Sequence, residues 1–426
     1  MNKAIQFLKE HKMTAADVDT QELVNIFLSE MEAGLAGERS SLMMIPTYIE
    51  ANNKLVPNEP VIAIDAGGTN FRAAKVYFDE DMQLVTENLQ HNKMPAVDEE
   101  LSKKDFFETF AKYLADYKNV SEKIGFCFSY AVEIFPNKDG KLLEWSKEVK
   151  APEVIGEMIG KNLLEAMGTP DKQLVLMNDT VSTLLAGQAA TAGKEYDTYI
   201  GFILGTGTNT CYIEANKNIT KTEGLDLNAS QIVNIESGNF GKAPRTDIDI
   251  AFDNTTKNPG RYSFEKMFSG GYFGGLCTTA LKMAAGEGLF PASKENIEKL
   301  QELSSEEVNK FVLDMDLEQN ALEKALATED EKTRATFIID GMIERAAKLV
   351  AANLAAVILK TGKAKNCERP VLMTIEGTTF YKLKNFRLMF EKYLKEFLSG
   401  ENQRYYEIVE VANSSLLGAA IAAIVN

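Results

Sequence analysis

Twice in this chain an apolar run stops at a Gly/Thr turn and a second extended run leaves it. Val61–Asp65 leads into Ala66–Asn70 and then Phe71–Phe78; Tyr199–Leu204 leads into Gly205-Thr-Gly and then Asn209–Glu214. Glycine between two such runs predicts a β-hairpin. A third unit of the same layout is expected at Val371–Ile375, Glu376-Gly377-Thr378 and Phe380, and the repetition hints at an internal duplication. Ile124–Ser129 and Leu174–Met177 read as further strands. Helical patterns fill the intervals. In Thr336–Leu359, residues Ile338, Met342, Ala346, Val350, Leu354 and Val357 trace one face. Residues 1–50 read as amphipathic helix through Val24, Phe27, Leu28 and Met31, and the charged stretch 297–331 as a solvated helical surface. Strands alternating with helices place the chain in the α/β class.

A chain of 426 residues exceeds the roughly 250–300 residues at which one core stops growing. Two domains, interleaved in sequence, are therefore expected. A net charge of −16 argues against nucleic acid or an anionic membrane as partner, since both call for a basic footprint. It leaves a nucleotide site open, because that needs only local donors and a metal. The N-terminus MNKAIQFLKEHKM has no apolar stretch suited to export. The longest apolar runs, near Lys348–Leu359 and Leu416–Val425, fall short of the ~20 residues of a membrane span and predict buried helices. A cytoplasmic protein is expected. Cys127, Cys211, Cys277 and Cys367 sit far apart in or near apolar sequence and read as reduced, buried thiols. With only His11 and His91, a histidine-built zinc site or a Ser/His triad is disfavoured. Chemistry here must rest on carboxylates, hydroxyls, amides, Lys or Arg.

Several local features fit that chemistry, and each has a plainer explanation. Asp65 ends an apolar strand, an unfavourable place for a carboxylate unless it serves a metal or a polar network. Gly67 and Gly68 allow positive φ and let backbone N–H groups approach an anion. Thr69 and Asn70 add donors, and Arg72 a fixed positive charge. An ordinary hairpin accounts for the same residues equally well. Asn178-Asp179-Thr180 follows Leu174–Met177 at the carboxyl end of a buried strand, where ligands bind. Capping of a following helix by Asp179 or Thr180 explains them at least as well. Gly205-Thr206-Gly207-Thr208-Asn209 is either a second anion cradle or a simple hairpin turn. It is not Gly-x-Gly-x-x-Gly, and the chain has no Gly-x-x-x-x-Gly-Lys-Ser/Thr, so Rossmann and P-loop sites are disfavoured. Glu236 and Glu265 read individually as surface or helix-start acids, and Trp145-Ser146-Lys147 as a loop anchored by the chain's one Trp.

Taken in order, the pieces Asp65-x-Gly-Gly-Thr-Asn-Phe-Arg72, Phe126-x-Phe-Ser129, Trp145-Ser-Lys147, Asn178-Asp-Thr180, Gly205-Thr-Gly-x-Asn209, Phe264-Glu-Lys-Met267 and Gly377-Thr378 resemble the eukaryotic-type hexokinase/glucokinase family. The match runs from about residue 50 onward. It implies an α/β, two-lobed actin-like ATPase (ribonuclease H-like) fold with a cleft between a small and a large domain. The small domain would span 51–178 plus 414–426, and the large one 1–50 plus 179–413. The resemblance implies that Asp65, Gly67, Gly68, Thr69, Asn70, Arg72, Gly205 and Thr206 grip the phosphates of ATP, and that Gly270, Gly377 and Thr378 line the nucleotide side. Ser129, Ser146, Lys147, Asn178, Asp179, Asn209, Glu236 and Glu265 match sugar ligands. Asp179 would be the catalytic base. Asp65 would stand beside Mg²⁺, through water, because that ion keeps several waters and takes few protein ligands.

The expected reaction is transfer of the γ-phosphate of MgATP to the 6-hydroxyl of a hexose, glucose first. A hexose sensor without turnover and an actin-like structural or chaperone ATPase are the rival expectations. Departures from the family pattern surround the sugar rather than the phosphates. Ser129-Tyr130-Ala131 stands for Ser-Phe-Pro, Ser146-Lys147-Glu148-Val149 for Thr-Lys-Gly-Phe, Tyr262 for Gln, and Ser237-Gly-Asn-Phe240-Gly for Trp-Gly-Ala-Phe-Gly. They bear on which hexose is preferred more than on kinase activity. The oligomeric state is not legible from the sequence.

Overall fold

The computed structural model describes residues 2–50, 56–145, 149–191 and 193–426. Its strands, in chain order, are β1 (Ile45–Pro46), β2 (Val61–Gly67), β3 (Asn70–Phe78), β4 (Leu84–Lys93), β5 (Lys123–Phe128), β6 (Ala131–Ile134), β7 (Gly140–Glu144), β8 (Gln173–Met177), β9 (Thr198–Leu204), β10 (Thr208–Ala215), β11 (Ser230–Asn234), β12 (Val371–Glu376) and β13 (Tyr406–Val409). They form a five-stranded sheet ordered β4-β3-β2-β5-β8, a six-stranded sheet ordered β1-β11-β10-β9-β12-β13, and the β6-β7 ribbon.

The run Val61–Ala66 is apolar throughout, Asp65 apart, because β2 is covered on both faces. Ile62, Ile64 and Ala66 point into one core with Phe106, Phe110 and Leu163, while Val61 and Ala63 point into another with Val181, Leu416 and Ala420. This is the two-residue alternation of a strand. β2 pairs antiparallel with β3, Gly67 facing Asn70 across the turn, and parallel with β5. β4, at the sheet edge, is polar and largely exposed, with Glu87, Gln90, His91 and Lys93 along it. Such an edge resists pairing with another chain.

In the second sheet β9 pairs antiparallel with β10 and parallel with β12. Its core is dominated by the 32-residue helix Glu329–Lys360, capped by Thr328, whose side chain accepts from the Glu331 N–H. Glu329, Asp330 and Glu331 in the first turn and Lys360 in the last complement the helix dipole. The periodic face expected over Thr336–Leu359 is buried as read.

Two helices, Asp179–Ala190 and Ser414–Val425, pack against each other and join the sheets. Their approach is close. A Cβ on Gly418 would sit 2.0 Å from the Ser182 carbonyl oxygen, and one on Gly125 of β5 would sit 1.8 Å from that of Ala419. Only glycine fits either place.

Four sequence expectations differ from the structure. The third strand–turn unit is not a hairpin: β12 leads through Gly377 into the helix Thr378–Lys382. β12 lies between β9 and β13, both parallel to it, so no edge is free to receive a returning strand. The stretch 1–50 is not helical throughout, since Ile45–Pro46 is extended and pairs with β11. The stretch 297–331 is not merely a solvated surface, because Val308, Phe311, Val312 and Leu322 enter the core. Cys367 is exposed, while the other three cysteines are buried. It sits in the polar loop Lys365-Asn-Cys-Glu-Arg369. Among the described residues, no helix is long and apolar enough to cross a membrane.

Candidate active site

The glycine turns and strand ends gather where the two sheets meet. β8 ends at Met177, and Asn178 caps the next helix, its Oδ1 accepting from the Thr180 N–H at 2.9 Å. Asp179 occupies the first helical position and accepts from the same N–H at 2.8 Å. The helix is thus capped by Asn178 and not by Asp179 or Thr180, as the sequence suggested, which leaves the rest of the Asp179 carboxylate for other work.

Around Asn178 an amide network closes. Asn209 Nδ2 donates to Asn234 Oδ1 at 2.7 Å, and lies 3.3 Å from Glu236 Oε1 and 3.4 Å from Asn178 Oδ1. Asn234 Nδ2 donates to Glu236 Oε1 at 2.8 Å. Glu236 has left-handed backbone, φ +58°, a strained place for a glutamate that favours a functional position. Burial pushes its carboxyl above the usual range, opposed by the Asn234 hydrogen bond and reinforced by the charge of Asp179. A cleft beside this network is lined by Ile45, Thr47, Tyr130, Val132, Ile134, Asn178, Asn234 and Glu236. One wall comes from the 131–134 ribbon and the other from β1, β11 and the turn after it. Ser129, half-buried, borders Gly67: a Cβ on that glycine would lie 2.8 Å from the Ser129 hydroxyl.

A second group forms around the β9–β10 turn. Gly270 N–H donates to the Gly205 carbonyl at 2.8 Å and Gly271 N–H to that of Thr206 at 2.8 Å, while the Thr379 hydroxyl donates to Gly205 O at 2.9 Å. Gly377, φ +118°, lies so close that a Cβ there would fall 2.2 Å from Leu204 O. Gly205, Gly270 and Gly377 thus meet, with the exposed Thr206 and Thr378 beside them. Glu265 ties this group to the first: its Oε2 accepts from the Thr208 N–H at 2.8 Å, one residue before Asn209.

The β2–β3 turn supplies the third part. Gly68 has φ +60° with open space around it, and Thr69 and Asn70 are exposed at the tip. The Tyr130 hydroxyl donates to the Gly68 carbonyl at 3.0 Å and steadies the turn from below. Arg72 is engaged from two sides. Its Nε and Nη2 donate to Asp65 Oδ2 at 2.9 and 2.5 Å, and its Nη1 to Asn413 Oδ1 at 2.9 Å. Burial pushes the Asp65 carboxyl up; Arg72 pulls it down and Asp179 adds to the rise.

Two residues that sequence reasoning passed over belong here. Asn234 holds Glu236 and Asn209 together. It sits two residues before Glu236 at the end of β11, a spacing that could have pointed to a shared face. Glu376 ends β12, an acid closing an apolar strand before glycine, much as Asp65 stands near the end of β2 two residues before Gly67. Its Oε2 accepts from the hydroxyls of Ser414 and, at 3.2 Å, Thr183. Burial raises its carboxyl, the Ser414 bond opposes this, and Asp179 and Asp65 add to it. Ser146 and Lys147 lie outside the described residues.

Asp65, Asp179 and Glu376 therefore crowd negative charge that a divalent cation would relieve. No group of three or more His, Cys, Asp or Glu forms a ready metal cage among the described residues. The glycine surfaces at 205, 270 and 377 suit close approach of a phosphorylated ligand, and the amide–carboxylate network suits a polyol.

Comparison with known proteins identifies the family. Two family models, each described as hexokinase, match residues 5–189 and 199–425. Hexokinase-3 of Oryza sativa subsp. japonica is 29% identical, covering 100% of this chain and 91% of its own. Glucokinase-1 of Saccharomyces cerevisiae is 28% identical, covering 99% and 96%. A structure of hexokinase from Schistosoma mansoni complexed with glucose superposes with a TM-score of 0.80 at 23% identity, over 99% of this chain and 98% of that one. The fold is thus the actin-like ATPase arrangement of hexokinases.

Proposed function

Because this chain belongs to the hexokinase family, and so is an ATP-dependent sugar kinase, we propose that it transfers the γ-phosphate of MgATP to the 6-hydroxyl of a hexose, glucose first. The observation that carries this reading is the amide–carboxylate network of Asn178, Asn209, Asn234 and Glu236 standing next to Asp179. A sugar is a ring of hydroxyls, and an unpaired buried partner loses about 1–3 kcal/mol, so such a network discriminates for a polyol. In the reaction Asp179 takes the proton of the attacking hydroxyl. The hydroxyl oxygen bonds to the γ-phosphorus as the bond to the β-phosphate oxygen breaks, and ADP leaves. Mg²⁺, held beside Asp65 through water, would neutralise charge on the phosphates. Arg72 orients Asp65 and opposes the rise that burial imposes on its carboxyl, and the turns at Gly67–Asn70, Gly205–Thr206, Gly270 and Gly377–Thr378 hold the nucleotide.

We assign 51–178 plus 414–426 to a small lobe and 1–50 plus 179–413 to a large one. The support is that every strand of the five-stranded sheet comes from 61–177 and that β2, β3, β5 and β8 of it pack on the Ser414–Val425 helix. Ser129, Ser146 and Lys147 then lie on the small-lobe side of the sugar, and Asn209, Glu236 and Glu265 on the large-lobe side. The test is a panel of hexoses with MgATP, reporting kcat/KM for each. Glucose should lead, with hexose 6-phosphate and ADP as products. Heat stabilisation by glucose with no turnover of any hexose would make the protein a sugar sensor instead.

A further inference from the structure

One contact bridges the cleft beside the proposed sugar ligands, between Glu144, two residues before Ser146, and the pair Arg261 and Tyr262, shortly before Glu265. Glu144 ends β7. Its carboxylate accepts from the Tyr262 hydroxyl at 2.7 Å and from Arg261 Nη2 at 2.8 Å, with Arg261 Nη1 3.3 Å from its other oxygen. The Arg261 guanidinium also lies over the Tyr262 ring, 5.1 Å from its centroid.

Both sides are anchored, each in a different core. Trp145, next to Glu144, packs on Phe106, Phe128 and Tyr130, and its indole N–H donates to Ala151 O at 2.8 Å. On the other side, the loop before Tyr262 is staked by Lys266, whose buried ammonium donates to Asp253 Oδ1 at 2.5 Å, Thr256 Oγ1 at 2.8 Å and Asn258 O at 2.6 Å. Tyr262 itself is held at φ +53°, a strained conformation for an aromatic residue. Its hydroxyl bond to Glu144 is what that conformation achieves. The carboxyl of Glu144 is held below its usual range, by Tyr262 first and then Arg261.

We infer that Glu144, Arg261 and Tyr262 form a clasp across the cleft that favours the closed arrangement of the lobes before sugar enters, and so act as positioning residues that set sugar affinity. The inference rests on the sugar-kinase reading and on the lobe assignment above. A ligand that requires a closed cleft binds less tightly when closure must be driven by the ligand alone. Where the family pattern has a Gln, this chain has Tyr262: a group that reaches the opposite lobe.

The test uses Glu144→Lys, Tyr262→Phe and the exchanged pair Glu144→Lys with Arg261→Glu. Three readouts are taken: the scattering radius of the protein alone, Trp145 emission on titration with glucose, and initial rates. Glu144→Lys should expand the protein without ligand and raise both Kd and KM for glucose about 3- to 30-fold, as suits a half-exposed, hydrogen-bonded ion pair. Its kcat at saturating glucose and MgATP should stay within about two-fold, since the closed complex is unchanged. Tyr262→Phe should move the same way by less. The exchanged pair should regain most of the affinity. Wild-type affinity should fall between about 20 mM and 500 mM NaCl more than that of Glu144→Lys, because the pair is screened. An unaltered radius and unaltered glucose Kd in Glu144→Lys would overturn the clasp. So would a fall in kcat at constant KM, which would place Glu144 in the chemistry. If the wild type binds glucose without turnover, the kinase reading fails alone, because scattering and titration still decide the clasp.

Discussion

Replacing Gly377 by alanine would put a methyl 2.2 Å from Leu204 O and 2.6 Å from Gly205 N. Both neighbours are backbone, and β9 is fixed on each side by β10 and β12, so neither can swing away as a side-chain tip would. The turn must therefore move by about 1 Å to restore ordinary contact. Alanine at φ +118° adds about 1–3 kcal/mol of conformational strain, and overpacking of a rigid site about 1–3 kcal/mol more. A stability of about 5–15 kcal/mol absorbs that sum, so the variant should fold, with Tm lower by several degrees. Relief comes from displacing the 376–378 segment away from Gly205, which opens the nucleotide side. KM for MgATP should rise about tenfold or more, while glucose still raises Tm as in the wild type, because Asn209, Asn234 and Glu236 are untouched. The assay is initial-rate kinetics with MgATP varied at saturating hexose, alongside thermal melts with and without glucose. Gly286→Ala, at the end of a helix away from the site, serves as control, since its Cβ meets nothing within 4 Å and its backbone is not left-handed. Unchanged Tm and KM for MgATP in Gly377→Ala would refute both the close approach and the placing of the nucleotide there.

Asp179→Asn keeps an oxygen to accept the Thr180 N–H, so the fold and heat stabilisation by glucose should persist. kcat should drop about 10²–10⁴-fold, the usual contribution of a general base; near-normal kcat removes Asp179 from the chemistry. Glu236→Gln tests the raised carboxyl. A folded-state pKa above the unfolded value means the ionised form is disfavoured in the fold, so the acid's stabilising contribution is present below about 4.3 and lost as pH rises through the raised value. Melting curves from pH 4 to 8, roughly spanning that window, should show Glu236→Gln gaining Tm over wild type at the upper end and the gain shrinking on acidification, while its glucose affinity falls. A Tm difference that does not vary with pH would mean Glu236 titrates as an ordinary carboxyl.

The two hairpins were legible because their signal is local: an apolar run, glycines at fixed offset, an outgoing run. Asp65, Asp179 and the glycine turns stood out for the same reason, though the plainer hairpin reading was also true of the backbone and the helix cap fell one residue earlier, on Asn178. What failed was non-local. β12 could not return as a hairpin because β9 and β13 flank it, and neither is near it in sequence. Glu376 looked ordinary until Ser414 was placed against it, 38 residues on. Asn234 joins the site through the register that sets Cys211 opposite it, two residues from Asn209 on β10. In 297–331 the charges hid apolar positions such as Val308, Phe311, Val312 and Leu322, spread over helices of only eight and five residues. The assignment of ligands to phosphate or sugar came from the family resemblance, since no single motif separates them.

The glycine-lined seat of the Ser414–Val425 helix has a consequence for how the protein is made. That helix covers one face of β2, β5 and β8, yet it begins roughly 240 residues after β8 ends. At about 5–20 residues per second of synthesis, a ribosome completes the five-stranded sheet some 10–50 s before the helix exists. Through that interval Val61, Ala63, Val175 and Met177, all buried in the finished molecule, have no cover from it. A chain released after residue 410 should therefore bind a hydrophobic dye and be cut readily by protease within 61–177. A fragment as resistant there as the whole protein would show that the sheet closes on its own.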